Sequence, residues 1–142
     1  MFAVVRVRGE VNMRKEIRDT LKMLRLNRIN HCVLLRKDSA VEGMIRKAKD
    51  FITWGEISEK TLEKLIAKKG RKTGDKKIEG KEVKVILSKI KKAKNLREIE
   101  GFKPVFRMNP PEKGYIRIKQ AYPKGALGYR GEKISELLER MM

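Results

Sequence analysis

Strands alternating with helices over residues 1–57, then helices and a long extended loop over 58–142, predict a small β-sheet with helices packed against it. Three observations carry this. Runs of β-branched and aromatic residues occur at 2–8, 31–37 and 51–54. Apolar stripes at helical spacing fill the gaps between them. Capping and stopping residues (Ser, Asn, Gly) fall where one pattern gives way to the other.

The elements follow in order. "FAVVRVR" (2–8) is a strand, with Ala3, Val5 and Val7 on one side and Val4, Arg6 and Arg8 on the other. "GEVN" turns the chain, and Asn12 suits a helix N-cap. In "MRKEIRDTLKMLRL", Ile17, Leu21 and Leu24 share a stripe, ringed by Arg14, Lys15, Arg18, Lys22 and Arg25. "NRIN" breaks this helix and "HCVLLRK" (31–37) is the second strand. "SAVE" (39–42) reads as a capping box, with Ser39 as the cap and Glu42 reaching back. It opens a helix to about Lys49, with Val41, Met44, Ile45 and Ala48 inward. "FITW" (51–54), bounded by Gly55, is the third strand, on which Phe51 and Trp54 are expected to face opposite ways. Taken locally, this alternation implies right-handed crossovers, a parallel sheet, and helices on one face.

Ser58 caps "EKTLEKLIAKKG", with Leu62, Leu65 and Ile66 as its stripe and Gly70 as its stop. "RKTGDKKIEG" (71–80) has no apolar period and reads as a mobile basic loop. "KEVKVILSKIKKAKNLREIE" (81–100) reads as a helix, with Val83, Ile86, Ile90 and Ala93 inward. "EKISELLERMM" closes the chain as a short helix. Residues 1–57 are thus expected to form a core domain and 58–142 an extension.

Charge points to the partner. The 37 Lys and Arg against 18 Asp and Glu give a net charge of +19, and no single segment accounts for it. Such a surface repels itself unless a polyanion neutralises it, and nucleic acid is the commonest such partner. One cysteine, Cys32, excludes an internal disulfide and a CxxC zinc site. His31 and Cys32 adjoin, but neighbouring strand residues face opposite sides and cannot converge on one substrate. There is no GxxxxGK[ST], no GxGxxG and no signal peptide or membrane-length apolar run. These absences lead us to expect no enzymatic activity, no cofactor or metal, no small-molecule substrate and a cytoplasmic location. An RNA-recognition motif would need a string of exposed aromatics on the sheet, which the strands lack. Contact with the backbone and shape of a folded RNA remains.

The loop "FRMNPPEKGYIRIKQAYPKGALGYRG" (106–131) carries six Lys or Arg against Glu112, with all three tyrosines and three of the four prolines. Pro110 and Pro111 hold it extended. Arg107, Lys113, Arg117, Lys119, Lys124 and Arg130 supply charge, and Tyr115, Tyr122 and Tyr129 are candidates for stacking on bases or packing on sugars. The competing reading is a loop packed over the domain, with tyrosines filling gaps.

"RGEVNM" (8–13), "RINH" (28–31), "GMIRKAKDF" (43–51), "TWGEIS" (53–58) and "FRMNPPEKG" (106–114) together resemble the large-subunit ribosomal protein thirty family. The likeness is to its long archaeal-type form, counterpart of eukaryotic large-subunit protein seven. The short bacterial form corresponds to residues 1–57. The resemblance implies an α+β, ferredoxin-like core, a three-stranded antiparallel sheet with two packed helices, and a helical, extended-loop C-terminal extension. It implies a structural constituent of the large ribosomal subunit, without enzymatic activity or cofactor. Its partners would be large-subunit rRNA, near the 5S rRNA, and neighbouring ribosomal proteins. By position, the family's rRNA contacts would fall on Arg6, Arg8, Asn12, Met13 and Arg14, and on the loop at Asn109, Pro110 and Pro111. Asn109 stands where the family usually has His, and Glu112-Lys113 where Arg-Gly is common, so the loop tip is less basic than the pattern. The rival reading is a free-standing RNA- or DNA-binding architectural or chaperone protein.

Overall fold

The computed structural model describes all 142 residues. Its centre is β1 (Phe2–Arg6), apolar on both faces and buried along its whole length. β1 is flanked by β2 (His31–Leu35) and β3 (Ile52–Glu56), both antiparallel to it. The locally expected parallel sheet is therefore replaced by the antiparallel arrangement that the resemblance implied. The reason lies in the first connection. Helix α1 (Lys15–Met23) leaves the end where β1 finishes, and its last residues line the same depression as Leu35–Asp38. Residues 24–30, which span up to about 23 Å when extended, then carry the chain back before β2 starts. The second connection, through α2 (Ser39–Lys47), is a true crossover, so β2 and β3 run parallel with β1 between them.

Residues beyond 57 join the same sheet. Short strands β4 (Val105–Arg107) and β5 (Gly128–Tyr129) extend it to the order β4-β2-β1-β3-β5. Helices α3 (Glu59–Lys69), α4 (Gly80–Lys92) and α5 (Ile134–Met141) cover the second face. Helices on both faces correct the one-face expectation, and β1 explains why. Ala3 and Val5 enter a cluster with Leu65, Ile90, Phe106 and Leu138, whereas Phe2 and Val4 enter another with Leu21, Ile45 and Ile52. Two apolar faces need two covers. Gly55 allows the second layer to approach closely, because a Cβ there would sit 2.9 Å from the Cβ of Ile134.

Several local expectations change. Asn12 turns the chain at φ 58° instead of capping α1, whose N-cap is Arg14. The N-cap of α2 is Asp38, and no side chain bonds there, so the box at 39–42 does not form. A reach-back does occur at α4, where the Glu79 N–H donates to Glu82 Oε2 at 3.1 Å. Ser58 caps α3 as expected, accepting from the Thr61 N–H at 3.3 Å. Phe51 lies in the turn before β3, so it and Trp54 pack into the same cluster. The helix expected over 81–100 ends at Lys92, with a separate 3-10 turn at Leu96–Glu98. Residues 71–80 fold back through an Arg71–Lys77 bridge and bury Ile78.

Candidate nucleic-acid interface

The strand directions gather the basic loops at one end. β1 finishes at Arg6 where β3 begins at Ile52, His31 at the start of β2 is opposite Arg107 at the end of β4, and Thr53 is opposite Gly128. Loops 7–14, 24–30, 48–51 and 108–127 therefore meet at this loop end. They are stitched together by hydrogen bonds. The Val7 and Arg8 N–H groups donate to the Phe51 carbonyl at 2.9 and 3.2 Å. Arg8 Nη1 donates to the Asp50 carbonyl at 3.2 Å, and its guanidinium lies 4.9 Å from the Phe51 ring centre. The Met108 N–H donates to the Asn30 carbonyl at 3.1 Å. Val7, Ala126 and Leu127 form a small buried cluster that seats the long loop.

The expected contact residues divide into three groups. Arg6, Met13 and Pro111 are buried. Arg6 Nε donates to the Arg8 carbonyl at 2.9 Å and Nη1 to the Leu26 carbonyl at 2.8 Å. Glu10 Oε1 lies 4.0 Å from its Nη2. Burial holds this guanidinium below its ordinary pKa, with Glu10 pulling the other way. Arg6 thus fixes the loops on either side of it instead of facing a partner. Its alternation with Val4 put it on a face that the helix layer covers.

Tyr115, Tyr122 and Arg130 are half-buried anchors. The Tyr115 hydroxyl donates to Asn30 Oδ1 at 2.8 Å, and burial pushes its pKa up to about 12. Arg130 Nε donates to Thr53 Oγ1 at 2.9 Å and Nη2 to the Ala126 carbonyl at 3.0 Å. Its guanidinium lies 5.3 Å from the Tyr122 ring centre, and burial lowers its pKa. The packed-loop reading holds for these three residues, which pin the loop, while its remaining charges are exposed.

The third group is accessible. Asn12, Arg14, Arg107, Asn109, Pro110, Lys113, Arg117, Lys119, Lys124 and Tyr129 are exposed and Arg8 is half-exposed. Asn109 donates its N–H to the Met141 carbonyl and Glu112 its N–H to the Arg140 carbonyl, at 3.1 and 3.0 Å, which seats the double-proline turn on α5. Tyr129 stands apart from the loop end, beside Trp54. Arg28, exposed in the "RINH" turn, also lies on this surface, although the sequence places it only in a helix break and a family-like motif and not among the contact residues. Its signal was the company it keeps. Burial first, then Arg107, Arg28 and Arg6, hold the His31 imidazole below its ordinary pKa.

Electrostatics fits anion binding. Arg8, Arg14, Arg28, Arg107, Lys113, Arg117 and Lys119 face Glu10, Asp50 and Glu112 as the acids of the same loops. Cys32 lies on the opposite face from His31, and burial raises its pKa to about 12, so the thiol stays protonated. No three His, Cys, Asp or Glu side chains come together as metal ligands would. No helix is long and apolar enough to cross a membrane.

Residues 2–52 match the model of the family described as Ribosomal protein L30p/L7e. Over its full length the chain is 41% identical to the whole of a protein named Large ribosomal subunit protein uL30 from Methanosphaera stadtmanae. The same name is carried by a relative from Methanobrevibacter smithii, 46% identical with both chains fully covered. The chain belongs to the uL30 family. A further uL30 relative, from Nanoarchaeum equitans, is 46% identical across 99% of this chain and 97% of its own. The matched span of the uL30 family model holds Arg8, Asn12, Arg14 and Arg28. The full-length uL30 relatives also span the 106–131 loop, so both halves of the loop end lie inside the similarity.

Proposed function

We propose that this protein is a structural constituent of the large ribosomal subunit, bound to rRNA through the loop end of its sheet. The observation that carries the reading is full-length similarity to large-subunit uL30 proteins. The convergence of exposed cations at one end of the sheet supports it. Residues 1–57 serve as the ferredoxin-like core and 58–142 as the extension that adds the second helical layer. The contacting set is Arg8, Asn12, Arg14, Arg107, Asn109, Pro110, Lys113, Arg117, Lys119 and Lys124, joined by Arg28. Arg6, Met13, Pro111, Tyr115, Tyr122 and Arg130 hold these in place. The protein works in the cytoplasm within the ribosome, with rRNA and neighbouring large-subunit proteins as partners, and we place it near the 5S rRNA. It supplies charge neutralisation and shape and carries out no chemical reaction.

Exposed isoleucines fit the same role. Ile29, Ile116 and Ile118 stand among these cations, where sugar faces or a neighbouring chain would cover them. Sucrose-gradient sedimentation of a lysate tests the proposal. The protein should travel with the large subunit and persist there at moderate salt. Free rRNA fragments should lose roughly 10³–10⁵ in affinity between 50 and 200 mM salt if ~6–10 phosphates are neutralised. A chain found only at the top of the gradient overturns the assignment.

A further inference from the structure

The far end of the sheet holds two adjoining depressions on the α1–α2 face. The larger, about 870 Å³, lies between α1, α2 and the segment after α4. Its wall includes Lys22, Arg25, Arg36, Lys37, Lys94 and Arg97, against Asp38 as its one acid. The groove is braced from within. Arg36 Nη2 donates to the Lys91 carbonyl at 2.6 Å, and Arg97 Nη2 to the Met23 carbonyl at 2.7 Å. It is open because Pro104, next in register opposite Leu34, has no N–H to continue the β2–β4 ladder. Lys22, Arg25 and Lys94 are exposed and make no ion pair or side-chain hydrogen bond.

Lys37 also lines the second depression, of about 350 Å³, with Phe2, Glu42, Arg46, Trp54 and Tyr129. Two helices cover three strands here, and β5 adds a further sheet position with no helix above it. Trp54 and Tyr129 are register partners, with ring centres 6.3 Å apart and planes at 44°. They form a wedge whose Tyr129 side is half exposed. A cationic channel leading to an aromatic wedge is the arrangement that holds single-stranded nucleic acid, with phosphates along the charges and a base on the rings.

We infer that this groove and wedge bind an unpaired RNA strand, separately from the loop end. The inference rests on the rRNA-binding reading above and gives the protein a second RNA site at the opposite end of its sheet. Lys22, Arg25 and Lys94 neutralise phosphates. Tyr129 and Trp54 receive one unstacked base, and Glu42 is placed to accept from its amino edge.

Trp54 is the sole tryptophan, so its fluorescence reports on the wedge alone. The full chain is titrated with a labelled oligocytidylate of about 12 nucleotides and with an RNA duplex of equal length. Label anisotropy follows binding and Trp emission follows stacking. The expected result is saturable quenching by the single strand and binding without quenching by the duplex. Tyr129→Ala should weaken single-strand binding about 5- to 150-fold and leave the duplex unaffected. A Lys22, Arg25 and Lys94 to Ala variant should lower the single-strand salt slope by about two to three, whereas changing Arg107, Arg117 and Lys119 should leave the quenching intact. Binding by both RNAs with no change in Trp emission, or equal quenching by both, overturns this inference and leaves the loop-end reading standing. Absence of any anisotropy change overturns both.

Discussion

The Tyr115 hydroxyl donates to Asn30 Oδ1 across 2.8 Å, joining residues 85 positions apart in the chain. Asn30 is itself in the left-handed region at φ 66°, and its carbonyl accepts from Met108. One turn residue thus receives both β4 and the loop that follows it. Tyr115→Phe should cost about 1 kcal/mol of stability and speed amide exchange across 112–120. Denaturant unfolding and exchange measured together check this. Unchanged exchange would mean that Pro111 and the α5 contacts alone hold the loop.

Arg6→Met would leave the Leu26 and Arg8 carbonyls without their buried donor. We expect a loss of roughly 3 kcal/mol, because two acceptors are abandoned at once. Arg6→Lys should recover only part of this, since an ammonium does not reproduce the guanidinium fork. The salt slope of RNA binding by the folded variants should be unchanged. A slope reduced by about one would return Arg6 to the contact surface.

Three exposed charges test the loop directly. Replacing Arg107, Arg117 and Lys119 with Ala should lower the salt slope for rRNA fragments by about three and weaken incorporation into the subunit. Arg107 spends little on its partner, since Asp75 lies 3.7 Å away and both side chains are well exposed. Far-ultraviolet circular dichroism should match the parent protein. Incorporation at the parent level would show that the loop is not a contact.

His31 gives the protein a sensitivity to acid. Its folded pKa lies below the ordinary 6.5, so below that pH the unfolded chain takes up the proton before the folded one does. Stability should therefore be full above about pH 7 and fall as pH drops through 6.5 towards the folded value. His31 Nδ1 is buried without a hydrogen-bond partner, so His31→Gln removes the titration while keeping a polar side chain. Urea midpoints at about pH 7 and pH 5 should converge for the variant relative to the parent. Equal pH dependence would assign the effect to other groups.

Much of the scaffold was legible in the sequence because periodicity reports burial. Val5, Leu65, Val83 and Ile90 lie on stripes that the structure buries. Strands β4 and β5 were not legible, being three and two residues long, and their partners come from distant segments. Cap signatures were ambiguous for a related reason: Ser39 and Glu42 have the right spacing, yet α2 begins after Asp38 without a side-chain bond. The exposed cations of the candidate site were legible in the sequence, its buried anchors less so. Basic residues concentrated in the loop marked it as a candidate contact, but an aperiodic segment carries no signal for which side chains turn inward. Tyr115 and Arg130 therefore looked the same as Tyr129 and Arg117 until the packing separated them. Local alternation also favoured a parallel sheet, because nothing in 24–30 announces a return path. The ordered similarity of whole motifs supplied the antiparallel pairing.

The placement of β1 bears on how the polypeptide reaches its final state during synthesis. Ala3 and Val5 share a cluster with Ile134, Leu137 and Met141, so the middle of the sheet waits for a helix made some 130 residues later. Until that helix emerges, a sticky strand and a heavy surplus of positive charge leave the exit tunnel together. A nascent chain of this design is exposed to aggregation with stray RNA, so any escort through that interval would have to shield oil and charge at once.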